Sequence, residues 1–509
     1  MKIDWRSVTL ITLILLAVSV PFVLAFGAAG EGYEFNGFLY NPMDGNSYLA
    51  KMVEGARGDW KFTLPYTAEP GQGAYLFLFY ILLGKLAGLL SLPNLLIFHV
   101  ARILCALTLL LELRKFCRAL FPDDKEMSWK AFLVSALFSG MGWLAIGIGR
   151  LSSDLNVPEA YTFLSSFANP HFPLSLALIL FTLRKMLLEN EKTFQPLFLL
   201  IGFVLANLSP FSLVITLLII AACKLWVLIQ ERQLLVWNSL LFFVGGIPVL
   251  FYQYFIVKVD PIFAEWNAQN LTPAPAVIDL LIAFLPGLIF AIFGVVLSLR
   301  QKTTRTTRLL VVWTLTGFIM TYLPFNLQRR FLIGLSIPVA ALVVIGIQSI
   351  KSIKWQKVSN VLLFAFMIPT NLVIIALGLI SVAQHSSNLT YTTDESLAYA
   401  WLQSHTQTSN IILAAPETGN LIPAITGRRV IYGHPFETVF AAENKQDVID
   451  FFSGRWDVYQ MLHFVEDEHI RYIFWGPQEM SLGHPVFLDQ LPVAFSVGQV
   501  EILSLETTP

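Results

Sequence analysis

Only 13% of the 509 residues are Asp, Glu, Lys or Arg, whereas 56% are hydrophobic and the mean hydropathy is +0.66. Soluble domains carry about 25% charged residues, so a soluble fold could not cover this much apolar surface. A disordered chain is excluded for the opposite reason, because disorder requires low hydrophobicity. The composition therefore indicates a polytopic α-helical membrane protein.

The net charge of −1 conceals an asymmetry between two parts of the chain. From His385 onward there are 15 acidic and five basic residues, which gives −10, so the preceding part carries +9. An acidic tail after a basic, apolar body predicts a transmembrane domain over 1–383 and an extracytoplasmic, soluble α/β domain over 384–509. No Lys/Arg-rich stretch with interleaved aromatic residues occurs, so no nucleic-acid partner is expected.

A helix that spans a membrane needs about 20 mostly apolar residues. About eleven spans meet this requirement, because Asn207-Leu-Ser-Pro210 divides one long apolar stretch into two. The candidate stretches are 8–26, 95–113, 130–149, 171–187, 195–229 (two spans), 234–256, 277–299, 307–323, 331–349 and 358–383.

Segment 74–91 is also apolar, but counting it as a span would place the basic cluster of Arg114, Lys115 and Arg118 outside. If it is an interfacial or re-entrant helix, that cluster lies in the cytoplasm with the other basic connections. The positive-inside rule thus predicts a cytoplasmic amino terminus and an outer carboxyl tail in the plasma (inner) membrane. The outer segments are then 27–73, 150–170, 257–276 and 324–330.

The first outer loop contains Asp44, Tyr48, Glu54-Gly55 and Gly58-Asp59-Trp60, with a helical stretch over 47–56. A carboxylate held beside the membrane suits a general base or a cation ligand. The alternative is structural, with Asp44 capping a helix that begins at Asn46 or Ser47.

The second outer loop offers Asp154 and Glu159, followed by His171 at the start of the next span. Two further carboxylates are candidates to complete a site with Asp44, and His171 is a candidate phosphate ligand or proton carrier. Alternatively, Asp154 is a turn residue and His171, between two prolines, is structural.

In the turn 324–330, Arg329 and Arg330 lie on the side of the membrane where basic residues are otherwise scarce. Adjacent guanidiniums suit an anionic group, and the helix start that follows adds its positive dipole end. We count Asn326 of the same turn and Lys258 of the third loop as accessory substrate-binding candidates. The alternative is that the two arginines snorkel to outer-leaflet headgroups.

The spacing Asp44-x-x-x-Tyr48, then Glu54-Gly55 and Gly58-Asp59-Trp60, resembles the first outer loop of GT-C glycosyltransferases. The likeness is to the bacterial branch of aminoarabinose transferases and protein O-mannosyltransferases, in which an interfacial helix and a span with an early Arg follow, as 74–91 and Arg102 do here. This chain departs from that branch because Gly45 stands where most members have Glu after the catalytic Asp. A Gly71-Gln-Gly73 element also replaces their Pro-Pro pair.

The resemblance implies a GT-C-like transmembrane fold and a transferase that uses a polyprenyl-phosphate-linked sugar as donor. Asp44 would deprotonate an acceptor hydroxyl on a glycan, lipid or protein of the cell envelope, or orient that hydroxyl for direct displacement at the anomeric carbon. Asp154 or Glu159 would assist, Tyr48 and His171 would contact substrate, and Arg329 and Arg330 would hold the departing lipid phosphate. Family members differ in whether they bind a divalent cation, so Mg²⁺ or Mn²⁺ stays open.

Two other function classes remain open from the sequence. One is a transporter or lipid flippase, although no internal repeat is present. The other is an inactive GT-C-like scaffold for envelope assembly, which the missing Asp-Glu pair allows.

The tail predicts short strands at 411–415, 429–432, 471–475 and 500–503, separated by helices near 395–404, 444–453 and 457–468. Strands that alternate with helices predict parallel pairing. The histidines of this region lack convincing metal-ligand spacing. We expect the tail to shape the acceptor path, as the outer domains of resembling enzymes do, or to dock a partner.

Overall fold

The computed structural model describes residues 4–189, 194–232, 236–300, 304–324 and 326–505. Phe325 of the predicted turn and residues 506–509 of the predicted tail domain lie outside the described residues. The helices of the first 383 residues are α1 (Trp5–Ala17), α2 (Val20–Ala28), α3 (Pro42–Arg57), α4 (Leu78–Leu90), α5 (Asn94–Leu120), α6 (Lys125–Leu137), α7 (Gly142–Ile146), α8 (Ser153–Asn156), α9 (Thr162–Phe167), α10 (His171–Leu183), α11 (Leu197–Leu208), α12 (Pro210–Glu231), α13 (Trp237–Val259), α14 (Pro261–Gln269), α15 (Val277–Phe284), α16 (Gly287–Arg300), α17 (Arg305–Tyr322), α18 (Ser336–Gln348) and α19 (Ile353–Ala383).

The apolar helices identify a membrane protein. Across the described ranges, seven helices are long and apolar enough to cross a bilayer, or eight if α15 and α16, bent by 82°, form one span. The helices α4, α11 and α18 are apolar but shorter, with 10–17 residues each. Helices thus occur at every predicted span, but the predicted number of eleven also requires α11, α17 and α18, which are not among the seven or eight.

The chain divides into two compact units, which are described separately. The first unit comprises residues 4–21, 99–252 and 272–377 of the described chain. Within it, the fully buried Arg102 of α5 donates from Nη1 to the carbonyls of Val18 at 2.7 Å and Ser166 at 3.2 Å. Carbonyl oxygens at helix ends therefore satisfy this cation inside an apolar helix.

The second unit comprises residues 22–98 and 253–271 and the chain from Gly378 onward. It thus contains the first outer loop together with the tail. Its remaining helices are α20 (Thr393–His405), α21 (Pro416–Thr426), α22 (Ala441–Phe452), α23 (Val458–Asp467) and α24 (Pro477–Leu482). Its strands are β1 (Tyr33–Phe35), β2 (Thr390–Thr392), β3 (Ile411–Leu413), β4 (Arg429–Val430), β5 (Ile470–Trp475), β6 (Val493–Val497) and β7 (Val500–Ser504).

The tail folds around a five-stranded sheet in the order β4-β3-β5-β7-β6. The pairs β4–β3 and β3–β5 are parallel, as predicted, whereas β5–β7 and β7–β6 are antiparallel. Helices cover both faces of the sheet, with Phe451 and Val465 packed on one side and Tyr399 and Leu402 on the other. The small antiparallel pair β1–β2 joins the first loop to the start of the tail.

In the first loop, α3 and α4 pack closely because glycines lie at their contact. A Cβ added at Gly55 would stand 2.1 Å from the carbonyl oxygen of Ile81, and one at Gly84 would stand 1.9 Å from that of Met52. Only glycine permits this approach of two helix backbones. The Gly of the Glu54-Gly55 element is thus explained by helix packing.

Candidate active site

The predicted carboxylate Asp44 lies in the first turn of α3, which begins two residues before it at Pro42. The N-cap is Asn41, in the left-handed region with φ 46°, and its side-chain amide donates to Asp44 Oδ2 at 2.5 Å. Asp44 is therefore not the cap of a helix beginning at Asn46 or Ser47, which was the structural alternative. Its side chain is 33% exposed.

Asp44 forms a hydrogen bond with a histidine of the tail. His434 Nε2 lies 3.2 Å from Asp44 Oδ1, and the imidazole side chain is only 3% exposed. The other ring nitrogen, Nδ1, accepts the backbone N–H of Phe436 at 3.1 Å. Because Nδ1 is the acceptor, Nε2 carries the proton and donates to the carboxylate.

A buried cation lies two helical turns further along α3. The Nζ of Lys51, fully buried, is 2.6 Å from Glu437 Oε1 and 2.6 Å from Ser47 Oγ. It also lies over the rings of Phe62 and Phe77, at 4.9 and 4.5 Å from their centroids. A buried charge is tolerated when it is paired and hydrogen-bonded, and both conditions are met here.

Two carboxyl groups near this cluster have displaced pKa values. Burial favours the neutral form of Glu437, but the Lys51 ammonium and the Ser47 hydroxyl outweigh it and hold the pKa of Glu437 below its ordinary value. Burial raises the pKa of Glu54 to about 7, against the opposing hydrogen bonds from Thr63. Glu437 is therefore the ionised partner of Lys51, whereas Glu54 titrates near neutrality.

Two predicted substrate residues also lie in this unit. The ring of Tyr48 stacks on that of Tyr80, with centroids 4.2 Å apart. Lys258 is exposed near the end of α13, with its Nζ 5.9 Å from the ring centroid of Tyr254. Tyr48 thus packs α3 against α4, and Lys258 remains accessible.

The first unit brings two other predicted residues together. Arg330 Nη1 lies 3.2 Å from Oε1 of the buried Glu159, and the Glu159 carbonyl accepts the N–H of Gly334 at 2.9 Å. The second outer loop and the turn at 326–330 therefore meet through this ion pair. Thr272 links to the same turn through backbone bonds with Asn326 at 3.0 Å and Arg329 at 3.1 Å.

Arg329 differs from its neighbour. Its Nε is buried, and within the described residues it has no hydrogen-bond partner. Leaving a buried guanidinium donor unsatisfied is costly, so the position favours an acceptor supplied from elsewhere.

Asp154 and His171 are enclosed. Asp154 is 1% exposed; Oδ2 accepts the N–H groups of Gly140 at 2.9 Å and Gly142 at 3.1 Å, and Oδ1 accepts Ser152 Oγ–H at 2.6 Å. Burial raises the pKa of Asp154 despite these bonds. His171 is buried at the first position of α10, with its ring 4.0 Å from that of Phe172.

Comparison with known proteins rests on structure, since no protein-family model and no curated protein matches the sequence. The oligosaccharyltransferase of Archaeoglobus fulgidus, tethered with an acceptor peptide, aligns at a TM-score of 0.58 and 12% identity over 92% of this chain and 69% of that one. ArnT from Cupriavidus metallidurans, bound to undecaprenyl phosphate, aligns at 0.51 and 11% identity over 97% and 98%. Both are GT-C membrane glycosyltransferases.

The chain has the GT-C fold. The resemblance drawn from the first outer loop is thereby confirmed at the level of fold. A third structure, AglB from Archaeoglobus fulgidus in complex with an inhibitory peptide and a dolichol-phosphate, aligns at a TM-score of 0.54 and 12% identity, over 92% of this chain and 69% of that one.

The sequence patterns did not single out three residues that surround Asp44 and the nearby part of α3: Lys51, His434 and Glu437. His434 was considered only as a metal ligand and set aside for its spacing. A better signal was its place directly after a predicted strand, because polar residues at the carboxyl ends of parallel strands often line sites. No local pattern identifies its partner, which is 390 residues away.

A metal site is not formed by the described side chains. Among them, no group of three or more His, Cys, Asp or Glu residues is arranged to hold a metal ion. The carboxylate of Asp44 is in contact with an imidazole and an amide that both donate hydrogen bonds to it. These residues, with two hydrogen-bond donors on the carboxylate, do not fit a resident cation.

Proposed function

We propose that this protein is a glycosyltransferase that moves a sugar from a polyprenyl-phosphate carrier to an acceptor at the outer face of the plasma membrane. The observation that carries the proposal is the partly exposed Asp44 carboxylate, held in the first turn of the outer-loop helix α3 by Asn41 and His434. The proposal draws on the fold as well, since ArnT of that fold was solved with undecaprenyl phosphate and AglB with dolichol-phosphate.

In the proposed reaction, Asp44 accepts the proton of the acceptor hydroxyl while the acceptor oxygen bonds to the anomeric carbon of the sugar. The bond from that carbon to the phosphate oxygen breaks, and the electron pair leaves with the lipid phosphate. Because the donor is already activated, no nucleotide is required. The carboxylate must be oriented toward that hydroxyl, and two donors to its oxygens favour a fixed orientation.

Within the first unit, we propose that Arg329 and Arg330 bind the lipid phosphate. The pairing of Arg330 with buried Glu159 fixes the guanidinium, and the unpartnered Nε–H of Arg329 is a donor for a phosphate oxygen. Glu159 then acts by positioning Arg330, and Asp154 by fixing the backbone around Gly140 and Gly142.

We further propose the topology expected from the sequence, with about eleven spans, a cytoplasmic amino terminus and the tail on the outer side. The basic connections support this orientation through the positive-inside rule. The described apolar helices support at least seven or eight of these spans.

The test of the reaction uses the purified protein in proteoliposomes that contain undecaprenyl-phosphate-linked hexoses or pentoses, with mass spectrometry of released undecaprenyl phosphate. Wild type is expected to release it by transfer to an acceptor or to water. Asp44→Asn should lower the rate by about 10²- to 10⁴-fold, the usual contribution of a general base. The matched control is Asp59→Asn, an exposed carboxylate just after the same helix. Equal rates in wild type and Asp44→Asn would contradict the proposed base.

A further inference from the structure

The contact between Asp44 and His434 is made by a ring that has little freedom to turn. The backbone N–H groups of Gly433 and His434 both donate to Thr438 Oγ1, at 3.3 and 3.2 Å. The Thr438 N–H returns to the His434 carbonyl at 3.0 Å. With the Phe436 N–H on Nδ1, these bonds fix both the loop and the tautomer of its histidine.

The same loop, residues 433–438, is attached to α3 at two further points. Glu437 pairs with the buried Lys51 at 2.6 Å. Asn420 donates to the Gly433 carbonyl at 2.9 Å and accepts from Asn46 at 2.8 Å. Asn46, Lys51 and Asp44 all belong to α3, so this helix and the loop hold each other in register.

We propose that His434 is a positioning residue for Asp44, so that the tail supplies part of the catalytic apparatus. The inference rests on the proposed function and deepens it. Nε2–H of His434 fixes the plane of the carboxylate through Oδ1, and the exposed part of the group is left to receive the acceptor proton. Orientation by a buried partner is how a base is kept in its productive geometry.

The imidazole orients the carboxylate and does not relay the proton. Nδ1 already accepts the Phe436 N–H, and Nε2 already carries a proton, so the ring offers no acceptor atom to Asp44. The proton taken from the acceptor therefore stays on Asp44 until solvent removes it. The charged and titratable groups around the ring are Asp44, Glu437 with its partner Lys51, and Tyr66, whose ring centroid is 5.9 Å away.

The experiment measures kcat and KM for release of undecaprenyl phosphate from the donor that wild type turns over. His434→Ala is expected to lower kcat by roughly 10- to 100-fold, as loss of an orienting partner commonly does, with KM changed by less than about threefold. His434→Gln, whose amide retains a donor, should recover part of the loss. The control is His463→Ala, since His463 forms an exposed pair with Asp467 at 2.6 Å.

A second measurement needs no turnover and covers the case in which a variant is unstable. Melting temperatures of wild type, Asp44→Ala, His434→Ala and the double variant form a cycle that measures the coupling of the two side chains. We expect the two shifts to be non-additive, because each single change removes the same hydrogen bond. Additive shifts would mean that the contact is not made and would overturn the inference.

The outcomes separate this inference from the proposed function. If Asp44→Asn abolishes turnover while His434→Ala and His463→Ala both match wild type, His434 does not position the base. If wild type turns over no donor, or Asp44→Asn matches wild type, the proposed function fails. The melting cycle then still decides whether the pair exists.

Discussion

At the scale of single residues, the second unit contains an acid that is neutral in part at physiological pH. Glu54 is buried in α3, and its pKa of about 7 exceeds the ordinary value of 4.5. The folded protein therefore binds more protons than the unfolded chain between these two values, so stability falls as the pH rises through this window. The raised pKa of Glu54 contributes about 3 kcal/mol at most to the free energy of unfolding at low pH. This contribution is lost above pH 7.

The fall in stability with rising pH leads to a prediction for Glu54→Gln. The variant cannot ionise, so above pH 7 it should melt a few degrees higher than wild type. This shift corresponds to a gain of about 3 kcal/mol at most in the free energy of unfolding. At pH 4.5 the two proteins should melt nearly together. The measurement is differential scanning fluorimetry in detergent at both pH values, with Glu69→Gln, an exposed carboxyl of the same loop, as control. A difference that is equal at both pH values would show that folding does not shift the pKa of Glu54.

At the scale of elements, the turn before α18 carries two arginines with different surroundings. Arg330 is anchored by Glu159, whereas Arg329 Nε is buried and unpartnered among the described residues. Arg329→Ala therefore removes a phosphate donor and leaves the ion pair intact. In native mass spectrometry titrations with undecaprenyl phosphate, we expect affinity to fall by about tenfold or more, the value of one charged hydrogen bond.

The control for this turn is Arg150→Ala. Arg150 lies in the same unit and pairs with Asp279 at 2.7 Å, so its removal deletes a comparable outer arginine. If wild type and Arg329→Ala bind undecaprenyl phosphate with equal affinity, the arginine side chains of the turn extend to lipid headgroups and do not bind this phosphate specifically. A loss in both variants would indicate general electrostatic attraction.

Elements were predicted from the sequence better than contacts between them. The apolar stretches located the helices, and alternation of strands and helices located β3, β4, β5 and β7, because these patterns repeat within a short window. Strand β6 was missed, since its residues 493–497 are partly exposed and carry no clear alternation. The start of α3 was placed too late because a left-handed Asn41 before Pro42 opens the helix.

The candidate site was predicted only as far as it is local. Asp44, Tyr48, Glu159 and Arg330 were named from their loops, but the ion pair between Glu159 and Arg330 was not predicted. His434 and Glu437 were not named, because their meeting with α3 depends on tertiary packing. No sequence periodicity reports a contact between residues almost 400 positions apart.

At the scale of the whole molecule, the side of the membrane on which the tail lies decides what it can contact. The three cysteines of the chain, Cys105, Cys117 and Cys223, are all buried, so a single added surface cysteine can be labelled with little background. Ser409 in the tail and Ser352 between α18 and α19 are both exposed.

In spheroplasts treated with a membrane-impermeant maleimide, we expect Ser409→Cys to be labelled and Ser352→Cys to be protected until the membrane is permeabilised. Both results follow from a basic inner face. The reverse pattern would place the tail, and with it His434, in the cytoplasm, where an acceptor of the outer face could not be reached.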